Sequence, residues 1–291
     1  MGGGSAWAIT AAGTLAFDDL TTQAGRRREL PGGSALYFSL AARPLTQVRV
    51  AAAVGADGGP LLEILDAANI DRSAVAQLPG ASYRWRAEHH PLHAVPVEEE
   101  QRLGVYLDWR PELPAAARDS EILFLGSMPP ARQLHVLEQC PGAHVVALDT
   151  MRDFIAGDRT ELETLLHRTD MLFVDEAELR ALVPTPRSDP IDVAYEALER
   201  WNLGTVILKL GSRGAAAVSA SNAREFPVAD APSVVDPTGA GDALAGGLLG
   251  RLAQLKRTND ASVDQAMVHG SAAARAAISA FGVQGLIEAA A

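Results

Sequence analysis

Between residues 121 and 211 the chain repeats one rhythm, and that rhythm leaves little choice of architecture. Short apolar runs at Ile122–Leu125, 145–148, 171–174 and 205–210 alternate with stretches of helical spacing at 131–139, 161–167, Glu176–Leu182 and 192–201. Strands that are apolar on both sides and separated by helices pair in parallel. The crossover needs a helix, and the helices then cover both faces. An α/β fold with a central, mostly parallel sheet and helices on both faces is therefore expected. Upstream, 6–13 and 47–54 read as further strands, and 34–43 and 60–69 as helices. Downstream, Ala215–Ser219 and 224–228 read as a terminal hairpin, followed by helices over about 239–255 and 263–281. Residues 82–88 and parts of 102–109 alternate instead, like antiparallel strands with one wet face. They point to a small subsidiary sheet.

Composition narrows the partners. Of 291 residues, 48% are apolar, enough for a sizeable core, and the net charge of −11 argues against a nucleic-acid or anionic-membrane surface. Cys140 is the single cysteine, which excludes an internal disulfide and a cysteine-based metal site. The opening Met1-Gly2-Gly3-Gly4-Ser5 has neither the basic region nor the apolar core of a secretion signal, so a reducing, cytoplasmic setting is expected. The histidines show no metal-ligand spacing. His89-His90-Pro91-Leu92-His93 reads as a solvated loop.

The chemistry concentrates at Asp236-Pro237-Thr238-Gly239-Ala240-Gly241-Asp242-Ala243. The stretch follows a strand-like Ser233-Val234-Val235 and opens into a helix of small residues. A helix N-terminus presents free N–H groups and the positive end of its dipole, so it holds anions, and glycine lets a ligand approach the backbone. The bland alternative is a plain helix start, with Thr238 as cap and Asp242 complementing the dipole. An aspartate inside an anion cradle repels phosphate, and removing a proton from an attacking hydroxyl is the work that suits it. Gly-Lys-[Ser/Thr] is missing, and Leu244 stands where a dinucleotide fingerprint needs Gly or Ala, which makes a dehydrogenase a distant third reading.

This stretch, with Leu244-Ala245-Gly246-Gly247 after it, closely resembles the C-terminal signature of the ribokinase-like (PfkB) carbohydrate kinases. Other motifs follow in the family's order. Gly13 to Asp18 looks like the first-strand turn, Pro31-Gly32-Gly33-Ser34-Ala35 like the di-glycine motif, Val54-Gly55-Ala56-Asp57 like Val-Gly-x-Asp, and Lys209-Leu210-Gly211-Ser212-Arg213-Gly214 like the strand-end Gly-x-x-Gly. The resemblance implies a single ribokinase-like domain over 1–291, with a small β lid drawn from about 14–30 and 82–110.

It also implies an ATP-dependent phosphotransferase acting on a hydroxyl of a sugar or related polyol. Asp242 would be the general base, and the N–H groups of Gly239, Ala240 and Gly241 the anion hole for the transferred phosphoryl. Asp18, Gly32, Gly33 and Tyr37 would meet the substrate. Tyr37 stands where many sugar kinases carry asparagine, so sugar specificity does not transfer; a core aromatic is its other reading. Lys209, Gly211, Gly214, Asp149, His269 and Gly270 would lie by the nucleotide. Glu178 and Asp175 look like the Asn-x-x-Glu motif that organises Mg²⁺ through water, with Asp175 replacing asparagine; an acidic helix start is the alternative. Asp236 is the candidate for a monovalent cation such as K⁺, or a turn residue. Trp85 and Arg86 either touch substrate from the lid or serve sheet packing or a homodimer through the lid. A nucleoside kinase, an inositol kinase and a non-catalytic sugar or nucleotide sensor remain alternative functions.

Overall fold

A computed structural model describes residues 6–89, 97–228 and 233–290. Its strands are β1 (Ile9–Ala12), β2 (Ala16–Thr22), β3 (Gly25–Gly32), β4 (Val48–Val54), β5 (Asp71–Gln77), β6 (Tyr83–Glu88), β7 (Val97–Arg102), β8 (Ile122–Leu125), β9 (Val145–Asp149), β10 (Met171–Asp175), β11 (Thr205–Lys209), β12 (Ala215–Ser219) and β13 (Ala223–Phe226). The main sheet runs β13-β12-β11-β10-β9-β8-β1-β4-β5. It is parallel from β5 to β11 and antiparallel at β11–β12 and β12–β13. The α/β architecture expected from the alternation is thus observed. Strand β5 escapes a sequence reading because its Asp71-Arg72-Ser73 start is polar and it lies at the sheet edge.

A separate core covers each face of the sheet. On one side Phe38 stacks on Phe124 at a centroid distance of 4.0 Å, among Leu36, Leu248 and Val263; such a ring pair adds ~0.5–1.5 kcal/mol beyond its burial. On the other, Leu137, Leu162, Leu198 and Trp201 pack on the alternate residues of the same strands. Helix Ser34–Ala42 is buried along its whole length, which its continuous apolar sequence allows. It packs on helix Ala240–Leu255, where a β-carbon on Gly246 would lie 2.3 Å from the carbonyl oxygen of Phe38. The small residues of this helix are therefore close-packing residues. Among the described residues, no helix is long and apolar enough to cross a membrane.

Strands β3-β2-β6-β7 form a second sheet, with β2–β6 parallel and the other pairs antiparallel. The alternation at 102–109 does not continue as a strand. The chain turns at Gly104, with φ 52°, into a 3₁₀ turn over Gly104–Leu107. The reason is Tyr106, whose buried hydroxyl accepts from the backbone N–H groups of Leu15 and Ala53 and donates to the carbonyl of Gly13. Asp57 fixes the start of β6. Its carboxylate accepts from the N–H and hydroxyl of Ser82 and from Arg84, all at 2.7 Å. Burial opposes ionisation of Asp57, but those hydrogen bonds hold its pKa down at about 2.

Candidate active site

The carboxyl ends of β1, β9, β10 and β11 all lie on one edge of the main sheet, where parallel α/β folds bind ligands. The second sheet closes over that edge through β2 and β6. Ala16 pairs with Tyr83 and Asp18 with Trp85, so these four share one face of the small sheet. Between the sheets lies a cavity of about 290 Å³. It is lined by Asp18, Gly33, Tyr37, Asp149, Glu178, Lys209, Gly239, Gly241 and Asp242, and by residues that sequence reasoning left out or read as bland: Tyr83, His89, Thr150, Met151 and Thr238.

The turn before the last helices differs from a strand–turn–helix. Ser233-Val234-Val235 forms no strand; the N–H of Val235 donates to the carbonyl of Ile278 instead. Both carboxylate oxygens of buried Asp236 are engaged, one by the N–H of Thr238 at 3.0 Å and the other by the N–H of Gly282 at 2.9 Å. Asp236 thus closes the turn and ties it to the C-terminal loop, a geometry that gives no argument for a monovalent cation. Thr238 is not the helix cap. Gly239 occupies that position with φ 74°, and the Thr238 hydroxyl bonds the imidazole Nε2 of His89 at 2.8 Å. The helix proper is Ala240–Leu255. Ala240 lies off the cavity wall, while Gly239 and Gly241 are on it.

One cation pairs with two acids at the base of the cavity. The Lys209 ammonium lies 3.0 Å from Asp149 Oδ1 and 3.6 Å from Glu178 Oε2, and Gly241 backs onto its side chain. Burial alone would lower the Lys209 pKa, but the charges of Asp149 and Glu178 raise it above the ordinary lysine value. Burial raises Glu178, with Lys209 opposing. Asp242 makes no ion pair among the described residues: burial, then repulsion from Asp149, pushes its pKa up to about 8, with Lys209 opposing. Asp18 is buried beneath Gly32, where a β-carbon would fall 2.0 Å from its Oδ2. Burial, then the charges of Asp236 and Asp242, raise its pKa well above the ordinary carboxylate value.

Among the described residues, three buried polar atoms on residues that line the cavity have no hydrogen-bond partner: Asp242 Oδ1, Thr150 Oγ1 and Tyr37 Oη. A buried polar group left so marks a place where a ligand completes the bonding. No cluster of three or more His, Cys, Asp or Glu that could hold a metal directly occurs among the described residues. The excess of acids over Lys209 nevertheless fits an ion held through water and phosphate oxygens, the usual manner of Mg²⁺.

Several expected site residues lie elsewhere. Asp175 caps helix Glu176–Leu182: its Oδ1 accepts from the N–H groups of Ala177 and Glu178, and Glu178 Oε2 accepts from the Asp175 N–H. That is the acidic helix start, built as a capping box. Gly270 packs against the Leu244 carbonyl, and the His269 carbonyl faces Gly247, so Gly270 and the His269 backbone belong to a helix–helix contact. Gly214, at φ 97°, lets the chain pass the Phe226 carbonyl; a β-carbon on Gly211, at φ 60°, would meet nothing. His89 carried no sequence signal. It lies at the end of β6, its ring edge-on to Trp85 at 6.4 Å, and burial lowers its pKa with the Asp236 charge opposing. Residues 90–96, with His90 and His93, lie outside the described residues.

Comparison with known proteins points to one family. The model of the pfkB family of carbohydrate kinases matches residues 120–290. The cytidine kinase of Thermococcus kodakarensis is 29% identical over 243 residues, which are 81% of this chain and 85% of that protein. The nucleoside kinase of Methanocaldococcus jannaschii superimposes with a TM-score of 0.77 at 19% identity, covering 99% of both chains. The aminoimidazole riboside kinase of Salmonella enterica, complexed with aminoimidazole riboside and an ATP analogue, does so with a TM-score of 0.75 at 21% identity, covering 96% of both.

Proposed function

The chain belongs to the pfkB family of carbohydrate kinases, and we propose that it transfers the terminal phosphoryl group of ATP to a hydroxyl of a nucleoside. The observation that carries this reading is the composition of one cavity. Asp242, the candidate base, shares it with a wall of rings from the small sheet, Tyr83, Trp85 and His89. Carboxylates suit the hydroxyls of a ribose, and an apolar wall of rings suits the flat face of a nucleobase. The similarity to a cytidine kinase over most of the chain supports the same choice.

In this reading Asp18 accepts from ribose hydroxyls, since one carboxylate can accept from two neighbouring hydroxyls at once. Asp242 Oδ1 receives the proton of the attacking hydroxyl. A base with a pKa near 8 is strong enough for this work and still ionises near neutral pH. The first helical turn, entered through Gly239, faces the phosphoryl with its free N–H groups. Lys209, held by Asp149 and Glu178, adds fixed positive charge beside Gly241. Glu178 would hold Mg²⁺ through water, and the ion would supply countercharge for the phosphates. The small sheet acts as a lid that excludes water from the transfer.

A sugar or inositol is the second reading, favoured by the buried polyol-type acceptor Asp18. ADP release, measured with Mg-ATP across nucleosides, free sugars and inositols, separates the two. Turnover dependent on a nucleoside is expected. Turnover on a sugar or inositol with none on any nucleoside overturns the reading. Ligand-induced stabilisation without ADP release from any of them indicates a sensor.

A further inference from the structure

The small sheet is fastened to the rest of the protein at both ends of its two inner strands. At the start of β2 and β6 the N–H of Leu15 donates to Tyr106, and Asp57 holds Ser82 and Arg84. At the far ends the Thr22 hydroxyl donates to the carbonyl of Val235 at 2.8 Å, and His89 Nε2 bonds the Thr238 hydroxyl at 2.8 Å. The His89 N–H donates to the Thr21 carbonyl, so the sheet still holds its backbone. Extended chain from Tyr83 to His89 spans about 20 Å. Tyr83, Trp85 and His89 line the cavity between the two fastenings.

Of these ties, the one from His89 lands where phosphoryl transfer needs precision. Thr238 is the residue before Gly239, which enters helix Ala240–Leu255 at φ 74°. Its neighbours Pro237 and Gly239 carry no polar side chain, so the Thr238 hydroxyl is the handle by which a side chain can grip this turn. Asp236 holds the Thr238 N–H at 3.0 Å and the Gly282 N–H at 2.9 Å, which anchors the turn to the main body. His89 holds the Thr238 hydroxyl from the small sheet. A residue gripped on both sides fixes the direction of the peptide planes that follow it. The free N–H groups of the next helical turn are those that would meet the phosphoryl.

We propose that His89 is a positioning residue for phosphoryl transfer: through the Thr238 hydroxyl it sets the turn that enters the anion-hole helix, so the sheet that covers the acceptor also aligns the N–H groups that receive the phosphoryl. The proposal rests on the phosphoryl-transfer reading above and not on the choice of a nucleoside as acceptor. A misaimed anion hole slows the transfer step while ground-state Mg-ATP still binds. A histidine that only walls the cavity would act instead through the KM of the acceptor.

The test measures kcat, both KM values and the ligand-free melting temperature, with the nucleoside, sugar or inositol that releases ADP fastest as acceptor. It compares the wild type with His89→Ala, Thr238→Val, Thr238→Ser and the double variant His89→Ala/Thr238→Val. His89→Ala and Thr238→Val should each lower kcat by about tenfold, with the KM for Mg-ATP changed by less than about twofold. The double variant should be no slower than the slower single one, because both changes delete the same bond. Thr238→Ser restores the hydroxyl and should recover most of the rate lost in Thr238→Val. An unchanged kcat in Thr238→Val, losses that multiply in the double variant, or an effect confined to the acceptor KM each overturns the assignment. Should His89→Ala not fold, the kcat of Thr238→Val against that of Thr238→Ser decides it. If none of the acceptors is phosphorylated, the kinase reading falls and this assignment with it. Turnover on a sugar or inositol alone overturns the nucleoside reading and leaves this assignment to its own test.

Discussion

The ring of Tyr37 fills the space that a side chain on Gly239 would need: a β-carbon there would fall 2.2 Å from Cδ1 and 2.3 Å from Cγ. Two motifs about two hundred residues apart in the sequence thus meet as ring and bare backbone. The contact holds Gly239 at φ 74°, the left-handed entry to helix Ala240–Leu255, and so aims the first turn of that helix into the cavity.

Gly239→Ala should therefore be damaging twice over. The left-handed backbone conformation costs an alanine ~1–3 kcal/mol, and the new methyl overlaps the Tyr37 ring. Chemical denaturation should show a loss of at least that size, with phosphoryl transfer reduced further than the loss of folded protein explains. Adding Tyr37→Ala should restore part of the stability, since the two changes share one contact. Strictly additive losses would refute the coupling.

Asp242→Asn should lower turnover by ~10²–10⁴-fold while leaving substrate-induced stabilisation in place. Its effect on folding has the opposite sign. The folded pKa, about 8, lies above the ordinary 3.8, so the wild type is most stable while Asp242 is protonated in both states. That stability is lost as pH rises from about 4 through about 8. Thermal melts should find the asparagine variant gaining on the wild type across this window. The kcat/KM profile of the wild type should climb over its upper end, as the base ionises.

Lys209→Met should destabilise the protein by ~3–5 kcal/mol, because it leaves the buried carboxylates of Asp149 and Glu178 without their cation. Acidification should narrow the gap between variant and wild type, since protonated carboxyls no longer need the ammonium. Urea titrations at neutral and acidic pH check both statements. A gap that widens on acidification counts against the ion-pair account.

His89→Ala should loosen the tie between the small sheet and the turn at Thr238, at a cost of ~0.5–1.5 kcal/mol for the lost hydrogen bond. The His89 pKa is lowered from 6.5 by burial. Its contribution is therefore present above pH 6.5 and lost as pH falls through the lower folded value. Amide exchange around Thr238 should speed up in the variant at neutral pH, and should speed up in the wild type only on acidification. Equal exchange in both proteins at neutral pH would remove His89 from this role.

The sequence by itself determined the architecture and the class of chemistry. Apolar runs separated by helices can bury both faces only as a parallel sheet, and Gly239-Ala240-Gly241-Asp242 places an acid in the first turn of a helix whatever surrounds it. These are local properties, set by spacing along the chain. Only the tertiary structure decided which polar groups are already engaged. Asp175 and Asp236 look like ligands in sequence but each accepts two backbone N–H groups that fix a helix start or a turn. Gly270 and the backbone of His269 take part in helix packing, while Tyr83 and His89 reach the cavity from β6 and its end, a strand that pairs with β2 across more than sixty residues. Whether a carboxylate is free, paired or raised to a pKa of about 8 depends on burial and on charges brought in from other elements. No motif encodes those neighbours.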